Sequence, residues 1–91
     1  MKHLQLTIFG VVQNVGFRSW FARKARKLGI VGWVKNNPEG TVVAYCSGDA
    51  KAIEEIIKFA HHGPPLAEVV EVRRETIEGE NLSFTDFRVV H

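Results

Sequence analysis

The 91-residue sequence holds a single cysteine, Cys46, only three prolines, and no apolar run long enough to span a bilayer. Each scarcity removes a class of protein. One cysteine can neither close an internal disulfide nor build a thiolate zinc site, so a disulfide-stapled secreted domain and a zinc module are excluded, and a reducing compartment is expected. With no histidine near it in sequence, Cys46 reads as a small core residue and not as a nucleophile. The amino terminus, Met-Lys-His-Leu-Gln-Leu, lacks the uninterrupted apolar stretch of a secretory signal, and no segment approaches the ~20 apolar residues of a membrane helix. A soluble cytoplasmic protein with no membrane contact is expected. No repeat or low-complexity linker divides the chain, and with 45% hydrophobic and 24% charged residues positions 1–91 are expected to form one domain around one core.

The most informative scarcity is acid. No Asp or Glu precedes Glu39, whereas Lys2, Arg18, Arg23, Lys24, Arg26, Lys27 and Lys35 all do. The net charge of +2 is too small to imply nucleic acid by itself. A segment of one sign nevertheless makes a local positive field that attracts a small anion. Arg23, Lys24, Arg26 and Lys27 fit a solvated helix face that complements the carboxyl end of the helix dipole. Arg18 stands apart, because it falls in a first helical turn, where a cation is disfavoured.

Around Arg18 lies the stretch that concentrates the chemistry. A strand carrying Leu4, Leu6 and Ile8 runs into Gly10, a short loop follows with Asn14 and Gly16 as its flexible points, and a helix opens near Phe17. The first N–H groups of a helix have no intrahelical partner and lie at the positive end of its dipole, so strand, small-residue loop and helix start together make an anion cradle. Arg18 adds a permanently charged fork able to grip two oxygens. The plainer alternative is that the glycines only turn the chain.

Phe17, Trp20 or Phe21, Ala25 and Leu28 recur at helical spacing, and Gly29 is placed to end the helix in the left-handed conformation, which predicts a first helix over 17–28 with those residues as its core face. Residues 30–36 and 41–47 are rich in β-branched and aromatic types and flank the turn residues Asn37-Pro38-Glu39-Gly40, the pattern of a hairpin. Asp49 caps a second helix over 50–62 with an apolar stripe of Ile53, Ile56, Ile57 and Ala60, and Gly63-Pro64-Pro65 stops it. A strand is expected over 68–77, with Val70 and Val72 alternating against Glu71 and Arg73. A turn at Glu78-Gly79-Glu80-Asn81 then leads to a last strand from Phe84 to Val90, in which Phe87 and Val89 share a face. The hairpin in the middle excludes a doubly wound parallel sheet. The order predicts an α+β fold, a ferredoxin-like βαββαβ sandwich with two helices on one face of an antiparallel sheet and a short extra carboxyl-terminal strand whose pairing stays open.

Gly10-Val11-Val12-Gln13-Asn14-Val15-Gly16-Phe17-Arg18 resembles the first signature of the acylphosphatases, Gly-x-Val-Gln-Gly-Val-x-Phe/Tyr-Arg. Gly32-Trp33-Val34-Lys35-Asn36 with Gly40, Val42 and Gly48 resembles the second. Gly63-Pro64-Pro65 with Ala67 and Val69, and the closing Phe87-Arg88-Val89, extend the resemblance over essentially the whole chain. It implies a hydrolase acting on acid anhydrides, one that splits the carboxyl-phosphate bond of acylphosphates without metal or cofactor. It also implies that the backbone amides of Gln13, Asn14, Val15, Gly16, Phe17 and Arg18, with the Arg18 guanidinium, bind the phosphoryl group, and that Arg18 and Asn36 are catalytic, Asn36 by orienting water. An amide can donate and accept a hydrogen bond but is a poor base, which suits that role. The expected partners are a small acylphosphate and inorganic phosphate or a similar anion, with no nucleic acid and no membrane, and the protein is expected to be a monomer.

Asn14 departs from the family's glycine. Asn is the non-glycine residue best suited to positive φ, and a side chain there is expected to crowd the phosphate or to occupy a loop amide. Three other functions compete. One is an RNA-binding module of the same fold, for which the strand 41–47 offers only Tyr45 as a stacking residue. Another is an acylphosphatase-like domain acting on carbamoyl phosphate, as in the hydrogenase-maturation carbamoyltransferases, and the third is an anion-binding relative disabled at Asn14. Among the remaining polar residues, Asn37 reads as a turn former. His61 and His62 point to different helix faces and suit a helix end better than a metal. His3 and His91 lie at the chain ends and carry no reading.

Overall fold

The computed structural model describes residues 1–78 and 84–91. Seven elements follow one another: β1 (Lys2–Val11), α1 (Phe17–Lys27), β2 (Val31–Asn36), β3 (Val42–Gly48), α2 (Ala50–His62), β4 (Glu68–Thr76) and β5 (Phe87–Val90). The helix boundaries follow cap chemistry. The Asp49 carboxylate accepts the Ala52 N–H at 2.8 Å and starts α2. At the end of α1, Gly29 donates to the Arg26 carbonyl and Ile30 to that of Ala25, at 3.1 and 2.9 Å, a paired closure that also carries Ile30 into the core.

The strands form one sheet in the order β4-β1-β3-β2-β5. The first four run antiparallel to their neighbours, as expected of the ferredoxin-like arrangement. The added fifth strand lies parallel to β2 at an edge, Gly32 opposite Phe87 and Lys35 opposite Val90, which makes the sheet mixed. Leu4, Leu6, Ile8, Val34, Val42, Ala44, Cys46 and Phe87 face the helices and meet Phe17, Phe21 and Ala25 of α1 and Ile53, Ile56 and Ala60 of α2. Burial pushes the Cys46 thiol up from 9.0 to about 12, so it stays protonated at neutral pH and cannot serve as a nucleophile. Among the described residues no helix is long and apolar enough to cross a membrane.

Three local expectations are corrected. The β1 and β4 ladders slip between Phe9 and Gly10, where Glu71 pairs with Phe9 and Val69 with Gly10. Val70 is the unpaired extra residue of this bulge, so it is exposed and does not share the face of Val72. The last strand begins at Phe87 and not at Phe84, because Phe84 instead lies against the Tyr45 ring, 5.3 Å between centroids. The basic residues of α1 are not merely solvated: Arg26 donates twice to the Phe87 carbonyl, at 2.8 and 3.0 Å, and Lys24 lies over the Phe59 ring at 4.8 Å. The turn expected at Glu78-Gly79-Glu80-Asn81 falls, beyond Glu78, outside the described residues.

Gly32 sits where β2 is clasped between β3 and β5. Its φ is 143°, its N–H donates to the Asp86 carbonyl at 2.9 Å, and a Cβ there would run into the backbone carbonyl of Tyr45. Gly32→Ala therefore combines an unfavourable φ with a clash against backbone, and is expected to destabilise the fold by about 3 kcal/mol or more. Urea denaturation checks this, and a loss below about 1 kcal/mol would show that the strands separate there without resistance.

Candidate active site

β1 delivers the chain to the end of the sheet, and residues 12–16 carry it back over the edge into α1. Asn14 has φ 63°, the one non-glycine residue with positive φ among those described, and asparagine is the non-glycine type best able to hold it. Gly16, at φ 76°, is the residue before α1 and offers no side-chain cap. Trp20 is the first residue to close a helical hydrogen bond, to the Gly16 carbonyl at 3.1 Å. The N–H groups of Phe17, Arg18 and Ser19 thus have no intrahelical acceptor, and no acid stands in the first turn to neutralise them.

These groups border a hollow of about 90 Å³ lined by Val12, Asn14, Gly16, Phe17, Arg18, Ser19 and Asn36. Larger depressions exist, one of about 480 Å³ between Trp20, Phe59 and Pro64 and one of about 520 Å³ at the start of α2, but at the latter the Asp49 carboxylate already caps the helix by accepting the Ala52 N–H. Donor chemistry, and not size, distinguishes the small hollow. Arg18 and Asn36, far apart in sequence, both line it. Val15 turns the other way and packs against the core.

Asn36 is the last residue of β2, paired with Val42 across the hairpin. Its Oδ1 is buried and has no hydrogen-bond partner among the described residues. A buried amide oxygen without a donor is costly, on the order of 1–3 kcal/mol, and suits a site that a small polar molecule completes. Asn37, by contrast, is a turn former, its N–H donating to the Thr41 carbonyl at 2.8 Å.

Two features of the site were not foreseen. Arg18 Nη1 donates to the carbonyl of Val90 at 3.0 Å and lies 3.5 Å from His91 Nδ1, so β5 holds one arm of the guanidinium and leaves Nε and Nη2 uncommitted among the described residues. A cation in a first helical turn is disfavoured by the dipole, and this carbonyl supplies the compensating contact. The second is the Gln13 side chain, which reaches across to the hairpin and donates to the carbonyls of Asn37 and Thr41. No local signal marks a backbone carbonyl as an acceptor for a side chain so distant in sequence.

The Asn14 side chain is exposed and makes no hydrogen bond among the described residues, so it does not tie up a loop amide. Only its bulk at the rim of the hollow remains as an effect. Asn14→Gly keeps every backbone donor and widens the hollow, so turnover is expected to rise by no more than about threefold, a fraction of the 1.4 kcal/mol that a tenfold change requires. Steady-state kinetics with benzoyl phosphate measures this, and a tenfold gain would show that the side chain obstructs the cradle.

The competing readings meet the same structure. Tyr45 is only 4% exposed and packed beside Phe84 and Trp33, so it presents no open ring to a stacked base. His61 and His62 end α2, and no group of three His, Cys, Asp or Glu side chains among the described residues is placed to hold a metal ion.

Comparison with known proteins bears on the whole chain. The family model for acylphosphatase matches residues 4–89. An acylphosphatase of Thermococcus kodakarensis is 55% identical over 76 residues, 81% of this chain and 84% of that protein. The crystal structure of the acylphosphatase from Bacillus subtilis superposes with a TM-score of 0.95 at 26% identity, covering 100% of both chains. A domain of full-length HypF, solved in a phosphate- and nucleotide-bound form, superposes at 0.88 with 32% identity over 99% of this chain and 12% of that one. A match that spans both signature segments, on a fold in which those segments line one hollow, places this chain in the acylphosphatase family.

Proposed function

We propose that the protein hydrolyses acylphosphates to a carboxylate and inorganic phosphate, with the phosphoryl group seated at the start of α1. The observation that carries this is the convergence, on one small hollow, of a helix amino terminus without an acid, a partly uncommitted guanidinium and a buried amide oxygen. The backbone N–H groups from Gln13 to Arg18 and the Nε and Nη2 groups of Arg18 take the non-bridging phosphoryl oxygens. Asn36 holds a water opposite the leaving carboxylate. The water oxygen bonds to phosphorus as the phosphorus–oxygen bond to the acyl group breaks, and the carboxylate leaves with the electron pair. The proton of the water passes to a phosphoryl oxygen, since Asn36 is too weak a base to keep it.

An acylphosphate already has a good leaving group. What the protein must supply is alignment and charge stabilisation on the phosphoryl oxygens, and these residues are of the kinds that supply both. The reading includes a monomer in the cytoplasm, where the lone, buried Cys46 fits a reducing compartment and offers no thiol for an intermolecular disulfide.

Hydrolysis of benzoyl phosphate in the presence of EDTA, with inorganic phosphate as a competitive inhibitor, is the test. Turnover no faster than the uncatalysed rate would refute the proposal. A strong preference for carbamoyl phosphate over benzoyl phosphate would move the substrate class while leaving the phosphoryl site in place.

A further inference from the structure

The hydrogen bonds that join the cradle segment 12–18 to the hairpin segment 36–42 among the described residues come from one side chain. Gln13 Nε2 donates to the Asn37 carbonyl at 2.7 Å and to the Thr41 carbonyl at 2.9 Å. A primary amide nitrogen has two hydrogens, so both are committed. The two acceptors are the carbonyls that close the hairpin immediately beyond Asn36. Asn37 N–H donates to Thr41 O at 2.8 Å, Gly40 N–H donates to Asn37 O at 3.0 Å, and Asn36 forms the last paired position, opposite Val42.

Asn36 cannot orient itself. Its Oδ1 has no protein partner among the described residues, so its placement relative to the cradle depends on the backbone that bears it. We infer that the Gln13 side chain is the positioning residue for Asn36: by clamping the Asn37 and Thr41 carbonyls to the phosphate-binding loop, it sets the distance and angle between the water-orienting amide and the seated phosphoryl group. This role is separate from that of the Gln13 backbone amide. It rests on the reading of Asn36 as the group that orients water.

Loss of the clamp should not unfold the hairpin. Each of the two carbonyls keeps a backbone donor, Gly40 N–H for Asn37 and Asn37 N–H for Thr41, so no acceptor is left bare. The turn is freed to shift against the cradle, and in-line attack is sensitive to shifts of this kind.

The test compares Gln13→Met, of similar length but without donors, and Gln13→Glu, of the same shape with a carboxylate facing two carbonyls, in both the native and the Asn36→Ala backgrounds. In the native background kcat for benzoyl phosphate is expected to fall about tenfold in Gln13→Met, and further in Gln13→Glu, while KM and the phosphate inhibition constant stay within about twofold, as expected when alignment and not binding is lost. In the Asn36→Ala background the same substitutions are expected to lower kcat by less than twofold, because there is no amide left to position.

The outcomes separate. An equal tenfold fall in both backgrounds would mean that Gln13 acts through the cradle or through general stability, which overturns the inference. Unchanged kcat in both Gln13 variants, with Asn36→Ala slowed, overturns it while sparing the role of Asn36. Unchanged kcat in Asn36→Ala alone overturns the water-orienting reading and this inference with it.

Discussion

Replacing Arg18 by alanine is expected to lower kcat/KM for benzoyl phosphate by at least about a thousandfold, the scale on which a guanidinium acts at a transferring phosphoryl group. Binding should fail together with turnover. In the proposed mechanism the same guanidinium meets the phosphoryl oxygens in the ground state and in the transition state, so the inhibition constant for inorganic phosphate is expected to rise at least about tenfold. Arg18→Lys keeps the charge but loses the planar fork and the Nη1 contact with the Val90 carbonyl, and should recover only part of the loss. Kinetics of hydrolysis and of phosphate inhibition on the same preparations measure both quantities. If Arg18→Ala bound phosphate as tightly as the native protein, the assignment of Arg18 to the phosphoryl oxygens would be wrong.

Asn36→Ala should behave differently. In the proposed mechanism, removing the amide takes away alignment of the water and nothing that touches the phosphoryl oxygens, so kcat is expected to fall about a hundredfold while the phosphate inhibition constant stays within about twofold. Stability should hold or rise slightly, because the substitution deletes a buried oxygen that has no partner among the described residues. Thermal unfolding and steady-state kinetics together check this pairing of lost rate with retained stability. A variant that lost phosphate affinity as fully as Arg18→Ala would place Asn36 on the substrate and not on the water.

The Arg18 prediction depends on a strand at the far end of the chain. Arg18 and Arg26, both on α1, donate to carbonyls of β5, at Val90 and Phe87. β5 has only four residues and a single neighbour, β2, so these arginines are part of what keeps it in place. The helix whose amino terminus borders the hollow thereby also secures the strand that steadies its own guanidinium.

The sequence alone determined the order of the elements, the helix ends and the two segments that line the hollow, and it marked Asn14 as the residue able to take a positive φ if the loop required one. Those features arise from interactions within a few residues: the Asp49 cap, the closure at Gly29, the apolar stripes of the helices, and the glycine that opens α1 without a cap. Where a long-range fact intervened, local pattern misled. Val70 fits the alternation of β4 until the bulge opposite Gly10 displaces it, and Phe84 fits a strand until Tyr45 offers its ring a partner. Tertiary structure alone decided that β5 lies parallel to β2, that Val90, 72 residues from Arg18, holds its guanidinium, and that Gln13 ties the cradle to the hairpin. Each of these is a bond to a backbone carbonyl or a pairing between backbones. Every residue carries the same carbonyl and nearly every residue the same N–H, so residue identity cannot mark which ones will meet, and only the packed chain selects them.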